Sequence, residues 1–399
     1  MTFFKRESPQ LLFLLAAFAA LGPLSTDMYL PAMPLMVATL DAEIAEVQLT
    51  LGIYLLGFSL FHLVCGPLSD RFGRKPVLIG GMLLFLLSCL GCSNAQSVES
   101  LIFWRFMQGV GACVGPTLAR SIIRDMYSVK KLPSALAGMN AIMALAPVVA
   151  PIIGGWMLLV WSWPSIFTFL ACYAAVAILM LCLKVPESLT QRQSLRLKNV
   201  LANYVLLLRN RHFRLAVLAA SFLYAGVFAF VTGSSYILIE FMGVPSESFG
   251  YWFAFIVVGY ILGNLFTARF SQHFDSYRLM YGGACLAVVA SLVMIVLCVL
   301  EIYHPLSIVL PIAIYTSAMG IAVPQAMAVA LTPFSDMAGT ASALMGFFQM
   351  GVAGLVATVV GLILTGEPTP LAICLVACAV LSGLLFYRLE KNTVTINDE

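Results

Sequence analysis

Charge-poor intervals long enough to cross a bilayer recur along this 399-residue chain from one end to the other. They predict helices over 10–33, 46–66, 77–95, 99–121, 135–159, 164–184, 213–238, 248–268, 277–299, 305–328, 338–363 and 369–388. About twenty apolar residues suffice to span the hydrocarbon, and a helix closes its backbone hydrogen bonds within itself. The least obvious division is between the fifth and sixth helices, because 132–183 carries no charge. Trp161-Ser162-Trp163-Pro164 supplies the break there, with indoles suited to a membrane interface. Twelve crossings leave both termini on one side.

Basic residues say which side. The turns at 34–45, 96–98, 160–163, 239–247, 300–304 and 364–368 contain no Lys or Arg. The alternate turns and the termini hold Lys5, Arg6, Arg71, Arg74, Lys75, Arg124, Lys130, Lys131, Arg192, Arg196, Arg269 and Arg278, among others. The positive-inside rule makes that face, and both termini, cytoplasmic. Segment 185–212 is polar, basic and central, which reads as a linker between an N-terminal six-helix bundle (1–184) and a C-terminal one (213–399). Within it, Leu195 to Leu208 has the pattern of a basic amphipathic helix able to lie on the membrane. An internal repeat supports the halving: Gly57 to Gly81 aligns without a gap on Gly259 to Gly283. The expected fold is all-α, two pseudo-symmetric bundles related by an axis along the membrane normal.

Composition closes off the alternatives. Apolar residues make up 61% of the chain, charged residues 10% and the mean hydropathy is +0.99. A soluble domain has about a quarter of its residues charged. The net charge of +3 says little beside its distribution. All ten cysteines lie in apolar runs without metal spacing, Cys89/Cys92 and Cys374/Cys378 included. His62, His212, His273 and His304 are scattered, so neither a metal centre nor a membrane enzyme is indicated. No phosphate-binding loop is present, which argues against ATP-driven pumping. After Lys5 and Arg6 the apolar run continues to Met33, too long for a cleaved signal peptide and expected to remain as the first span.

Against this background the charged residues stand out. Gly66 to Pro76 reads G-P-L-S-D-R-F-G-R-K-P and is expected to form a tight cytoplasmic turn. Its Gly66, Asp70, Arg71, Gly73 and Arg74 are candidate gating residues, unless the loop is only a topology anchor. Asp27 sits between Pro23 and Pro31 inside the first span. At ~1.5 Å per residue it lies past the midplane, where an unpaired carboxylate costs roughly 2.5–3.5 kcal/mol on insertion scales. It is either a proton-binding site that loads and unloads during a cycle or the cap of a broken helix end. Arg105, in Arg105-Phe106-Met107-Gln108-Gly109-Val110-Gly111, cannot shed its charge. It is expected near Asp27, attracted when that residue ionises, with Gln108 facing the same cavity. Arg120 and Arg124, with Asp125, reach the cytoplasmic face as gate or anchor residues, with no substrate role assigned. Pro147, Pro151, Gly154 and Gly155 suggest a hinge in the fifth helix. The second bundle has no buried acid: Glu240 reads as a surface residue. Tyr224, Phe228, Tyr236, Tyr260, Gln325 and Gln349, with Tyr29 in the first bundle, are candidates for a wall that binds apolar compounds by area and stacking.

These stretches together resemble a known family. Gly66 to Pro76 resembles the loop between the second and third helices of major facilitator superfamily transporters. Arg105 to Gly111 resembles the fourth-helix motif, and Ala146 to Gly155 the fifth-helix motif of drug/proton antiporters. Leu24-Ser25-Thr26-Asp27-Met28-Tyr29-Leu30-Pro31, with Arg124-Asp125-Met126-Tyr127, is similar to the Bcr/CflA (bicyclomycin/chloramphenicol resistance) branch. The resemblance implies a bacterial inner-membrane exporter trading a proton for a lipophilic drug of the chloramphenicol, florfenicol or bicyclomycin kind. It further implies Asp27 and Arg105 as coupling residues, no cofactor, no nucleic-acid partner and function as a monomer. The fifth-helix motif departs from the pattern in one place, Ala146-Pro147 standing where Gly-Pro is usual. A proton-coupled symporter of a small metabolite on the same fold is the alternative.

Overall fold

The computed structural model describes residues 4, 6–128, 130–189, 197–364 and 366–397. Lys5, Arg192 and Arg196 lie outside them. Among the described residues the chain is helical, and eleven helices are long and apolar enough to cross a membrane. The remaining expected crossing, the fourth, is present in two pieces, α5 (Val98–Ala112) and α6 (Val114–Met126), because the helix divides at Cys113. Pro116 has no N–H to offer the Ala112 carbonyl four residues earlier, so the hydrogen-bond ladder breaks there. The twelve-crossing architecture expected from the apolar runs is the one observed.

The first span differs from a single helix over 10–33. α1 (Pro9–Asp27) stops at the aspartate, a 3-10 turn covers Leu30–Ala32, and α2 (Met33–Leu40) follows. Pro31 and Pro34 each remove a donor that a continuous helix would need, so helical turns restart at both. The polar turn expected over 34–45 accordingly shrinks, and Asp41, left-handed at φ 50°, ends α2.

A second correction concerns residues 66–76. No eleven-residue turn forms there. α3 (Ile44–Phe72) runs through Gly66, Pro67 and Asp70, and α4 (Arg74–Ser93) begins immediately after Gly73. The turn is Gly73 alone, at φ 106°, where a side chain would be strained and would collide with the Glu187 carboxylate. Gly66 is an ordinary helical residue with open space where a Cβ would point.

The chain forms two compact units, Met1–Leu197 and Lys198–Glu399. In the first, α1 packs on α6 and α7 (Leu132–Met157), while α4 packs on α5 and α8 (Pro164–Lys184). α3 lies along α5. α9 (Leu197–Arg209) occupies most of the stretch expected as an amphipathic helix. In the second unit α10 (Arg211–Ser235) continues as a π-helical turn, Tyr236–Phe241. It packs on α13 (Pro305–Leu331), α14 (Ala338–Ile363) and α15 (Thr369–Asn397). α11 (Ser246–Phe270) and α12 (Ser276–Val299) both pack on α13.

Lipid tails give apolar helices no reason to associate, so close backbone contact has to hold them. The repeat seen in the sequence does this twice. Gly57 on α3 meets the backbone carbonyl of Phe106 on α5, and Gly259 on α11 meets that of Ala313 on α13. Neither position has room for a Cβ. Large apolar side chains such as Leu87, Phe103, Leu265, Leu292 and Leu362 are exposed, as a lipid-facing surface requires.

Candidate functional site

Where α1 ends, its last turns carry Ser25, Thr26 and Asp27, all buried in a span running from Pro9 to Leu40. Asp27 is only 5% exposed, and the Thr26 hydroxyl donates to its Oδ1 at 2.8 Å. Arg105 projects from α5 into the same unit and is fully buried. Its Nη1 donates to the Ser25 carbonyl (3.0 Å) and to Gln108 Oε1 (2.5 Å), the latter one helical turn along α5. Gln108 then donates through Nε2 to Cys89 Sγ at 3.0 Å.

Aromatic faces do the rest. The guanidinium carbon lies 4.2 Å from the Tyr29 ring centroid, 4.5 Å from that of Tyr54 and 5.8 Å from that of Phe167. Away from water such a contact stabilises a cation by about 2 kcal/mol or more. The rings are themselves held: Tyr54 Oη and Ser25 Oγ share a hydrogen bond at 2.6 Å, and Tyr29 Oη lies 3.4 Å from Thr50 Oγ1. Among the described residues, Nε and Nη2 of Arg105 have no hydrogen-bond partner. The cage therefore neutralises part of the charge and leaves two donors unused.

Asp27 and Arg105 lie in the same unit without pairing. No ion pair joins them; the arginine holds the carbonyl two residues before the aspartate instead. Stopping the helix at Asp27 turns the carboxyl toward Thr26, and the two tyrosine rings occupy the space around the guanidinium. Of the expected residues, Asp27, Tyr29, Arg105 and Gln108 are brought together. Tyr54, Phe167 and Ser25 belong with them and were not singled out from the sequence. A polar ring or hydroxyl inside an apolar run was the available signal, too common to be selective.

The charged residues after α3 make a separate cluster. Arg74 joins Asp70 through Nη1 (2.6 Å) and Asp125 through Nε (3.2 Å). Arg71 lies over the Phe72 ring at 5.1 Å rather than on Asp70. Glu187, just past α8, accepts from the Arg74 and Lys75 amides at 3.0 and 3.2 Å, capping α4. Arg120 and Arg124 are exposed.

In α7 the helix is unbroken through Pro147 and Pro151. Gly154 and Gly155 are buried, and Gly154 abuts the Met28 carbonyl so closely that no Cβ fits. That contact presses α7 onto the chain next to Asp27. In the second unit the Tyr224 ring lies tilted against Phe228, 5.2 Å between centroids, and Tyr236 opens the π-helical turn. Tyr260 and Gln349 are half-buried, and Gln325 accepts from Ser276 at 2.9 Å, at the start of α12. Glu240 is exposed.

Long apolar helices in two units, the first holding the one buried acid and one buried arginine among the described residues, define a multi-pass membrane carrier. Residues 13–358 match the Major Facilitator Superfamily, and the chain belongs to that family of secondary transporters. It is 31% identical to the uncharacterized MFS-type transporter YdgK of Bacillus subtilis, covering 98% of each chain. It is 29% identical to a bicyclomycin resistance protein homolog of Haemophilus influenzae, over 95% of this chain and 96% of that one. The multidrug resistance protein MdtL of Escherichia fergusonii is 31% identical over 94% of each. Among solved structures, a D-xylose-proton symporter superposes with a TM-score of 0.77 at 13% identity, over 95% of this chain and 97% of that one. At that identity the likeness speaks for the fold.

Proposed function

We propose that the chain is a proton-coupled exporter of small lipophilic molecules, of the Bcr/CflA kind, in the bacterial inner membrane with both termini cytoplasmic. Compounds like chloramphenicol, florfenicol and bicyclomycin are the cargo this reading expects. The observation that carries it is Asp27, a buried carboxyl in mid-span that makes no ion pair among the described residues. Ionised there, it costs several kcal/mol; protonated, it costs little, so the site exchanges protons rather than holding a fixed charge.

Arg105 supplies the other half of the cycle. On deprotonation, its free Nε and Nη2 offer the carboxylate a charge-assisted partner. Reaching it requires the chain after α1 to turn, and that is where the helix already stops, between Asp27 and the 3-10 turn at Leu30. A change of proton occupancy thus becomes a change in the shape of the first span. Asp70, Arg74 and Asp125 would hold the cytoplasmic end of the unit during that change. Relatives named for bicyclomycin and multidrug resistance support a drug as cargo.

A second reading keeps the proton and reverses the cargo: symport of a small metabolite. The shared fold of a D-xylose-proton symporter favours it, and nothing in the geometry of Asp27 sets a direction. One experiment separates the two. Purified protein in liposomes with an inward proton gradient receives chloramphenicol-class compounds one at a time, then small sugars. Proton movement opposite to a drug, lost in Asp27→Asn, supports export. Co-directional flux with a metabolite supports the second reading, and drug flux without proton movement refutes both.

A further inference from the structure

Between Glu187 and Glu240 the chain has no acidic residue, yet it carries Arg192, Arg196, Lys198, Arg209, Arg211 and Arg214. The last three stand where α9 meets α10. α9, roughly 20 Å long, buries Tyr204 and Leu207 and leaves Leu201, Val205 and Leu208 exposed. Spacings of four and three put these exposed side chains on one ridge. Single exposed apolar residues are ordinary, whereas a ridge of them bordered by charge marks an interaction surface.

One residue separates α9 from a membrane span. Asn210 is extended, at φ -71° and ψ 116°, and its side chain caps α10 by accepting from the Phe213 amide at 2.9 Å. α10 opens the span Arg211–Phe241, so α9 ends at the height of the lipid headgroups. The elbow is pinned: His212 Nε2 lies 3.1 Å from Tyr277 Oη, which sets the first turn of α12 beside that of α10. Arg209, Arg211 and Arg214 are exposed and make no ion pair among the described residues. Asp275 is turned onto its own helix, accepting from the Tyr277 and Arg278 amides at 3.0 and 3.4 Å. A helix N-terminus carries positive partial charge, so Arg211 and Arg214 are disfavoured at the start of α10 by themselves. The positive-inside rule accounts for basic residues on this face, but not for their place at the wrong end of a helix beside an apolar ridge. An anion carrying apolar chains answers both.

We infer that the α9–α10 elbow holds an anionic phospholipid, with Arg209, Arg211 and Arg214 on its phosphate and the Leu201–Val205–Leu208 ridge among its acyl chains. Guanidinium forks match phosphate oxygens in paired hydrogen bonds, and a basic amphipathic helix rests its apolar side in the headgroup–acyl boundary. α9 is then a lipid-held anchor at the start of the second unit. The inference stands on the spanning of α10 and on no particular cargo.

The test counts lipid bound to the purified full-length protein. In mild detergent, native mass spectrometry follows titration with dioleoyl phosphatidylglycerol or dioleoyl phosphatidylcholine, which share their chains and differ in net headgroup charge. Wild type should bind its first phosphatidylglycerol at least about tenfold more tightly than phosphatidylcholine. Arg211→Gln and Arg214→Gln should each weaken phosphatidylglycerol about fivefold, the share of one cation near an anionic surface, and leave phosphatidylcholine within about twofold. Arg211→Lys keeps the charge and should retain most of the preference. Arg124→Gln, at an exposed arginine of the first unit, should leave the preference unchanged. Leu201→Ser should weaken both lipids alike, by about threefold, because its contacts are with chains. Equal affinities in wild type, a preference that survives the Arg211→Gln/Arg214→Gln pair, or an equal loss in Arg124→Gln would overturn the inference. Displacement of the lipid by soluble glycerol 1-phosphate would overturn it too, by assigning the site to a free phosphate. Should the glutamine variants misfold, Arg211→Lys decides: a preference lost there refutes the site.

Discussion

Asp27→Asn keeps the shape of the neutral acid and removes its proton, so it measures the state in which the structure holds that residue. The Thr26 hydroxyl at 2.8 Å donates as well to an amide oxygen as to a carboxyl. No ion pair is lost, because none joins Asp27 to Arg105. The expected change in stability is therefore about 0–1 kcal/mol, the worth of one adjusted hydrogen bond. Were Asp27 an ionised partner of Arg105, the same substitution would strand a buried guanidinium and cost about 3–5 kcal/mol. For a unit of some two hundred residues, each kcal/mol moves the midpoint by about 2–4 °C. Thermal unfolding in detergent should thus shift by no more than about 4 °C, while proton flux in liposomes disappears. In an Arg105→Gln background the two changes should add to within about 0.5 kcal/mol. A drop beyond about 6 °C, or strong non-additivity, would show that the pair is formed and the reasoning from this geometry wrong.

Other perturbations have distinct expected outcomes. Tyr54→Phe removes the hydroxyl bonded to Ser25 but keeps the ring beside Arg105, so it should cost about 1 kcal/mol. Tyr54→Leu should cost about 2 kcal/mol more by removing the π-face, and equal losses in thermal unfolding would discount the cation–π contact. Gly154→Ala forces α7 away from the Met28 carbonyl and should destabilise by about 1–3 kcal/mol, against little effect of Gly66→Ala, where space is open. The N-terminal tie should be acid-resistant. Hydrogen bonds from Lys131 and then Ser128 lower the Glu7 pKa to about 2, so its contribution is complete above the ordinary carboxylate pKa and fades as pH falls through about 2. Amide exchange at Ser128 should stay slow at pH 4 in wild type and quicken in Glu7→Gln; equal rates would exclude the tie.

How much was legible beforehand follows from what bilayer physics demands locally. A run of apolar residues has one way to satisfy its backbone in lipid, so the crossings could be read directly, the Trp161–Pro164 break included. The same reasoning located Asp27 and Arg105, since a charge inside a span is costly wherever the helix goes. Breaks within spans were harder. Pro31, Pro34 and Pro116 were visible, yet a proline ends, kinks or merely inhabits a helix depending on its neighbours, as the unbroken α7 around Pro147 and Pro151 illustrates. Gly66 to Pro76 looked like a loop by composition, whereas α3 and α4 run through nearly all of it because Glu187, more than a hundred residues away, caps α4 across Gly73.

The partners of the charges were decided only in three dimensions. One-dimensional spacing could state that Arg105 needs company; it could not choose among Asp27, a carbonyl and a ring. Packing chose Ser25, Gln108, Tyr29 and Tyr54, which come from three helices and the turn after α1 and lie up to eighty-three residues apart in the chain, Gln108 against Ser25. The sequence by itself determined the number of spans, their polar interruptions and the charges that must be accommodated, because each is a demand of single residues on lipid. Tertiary structure decided which group answers each demand, because a partner is a matter of distance, and distance between helices is set by the side chains packed between them.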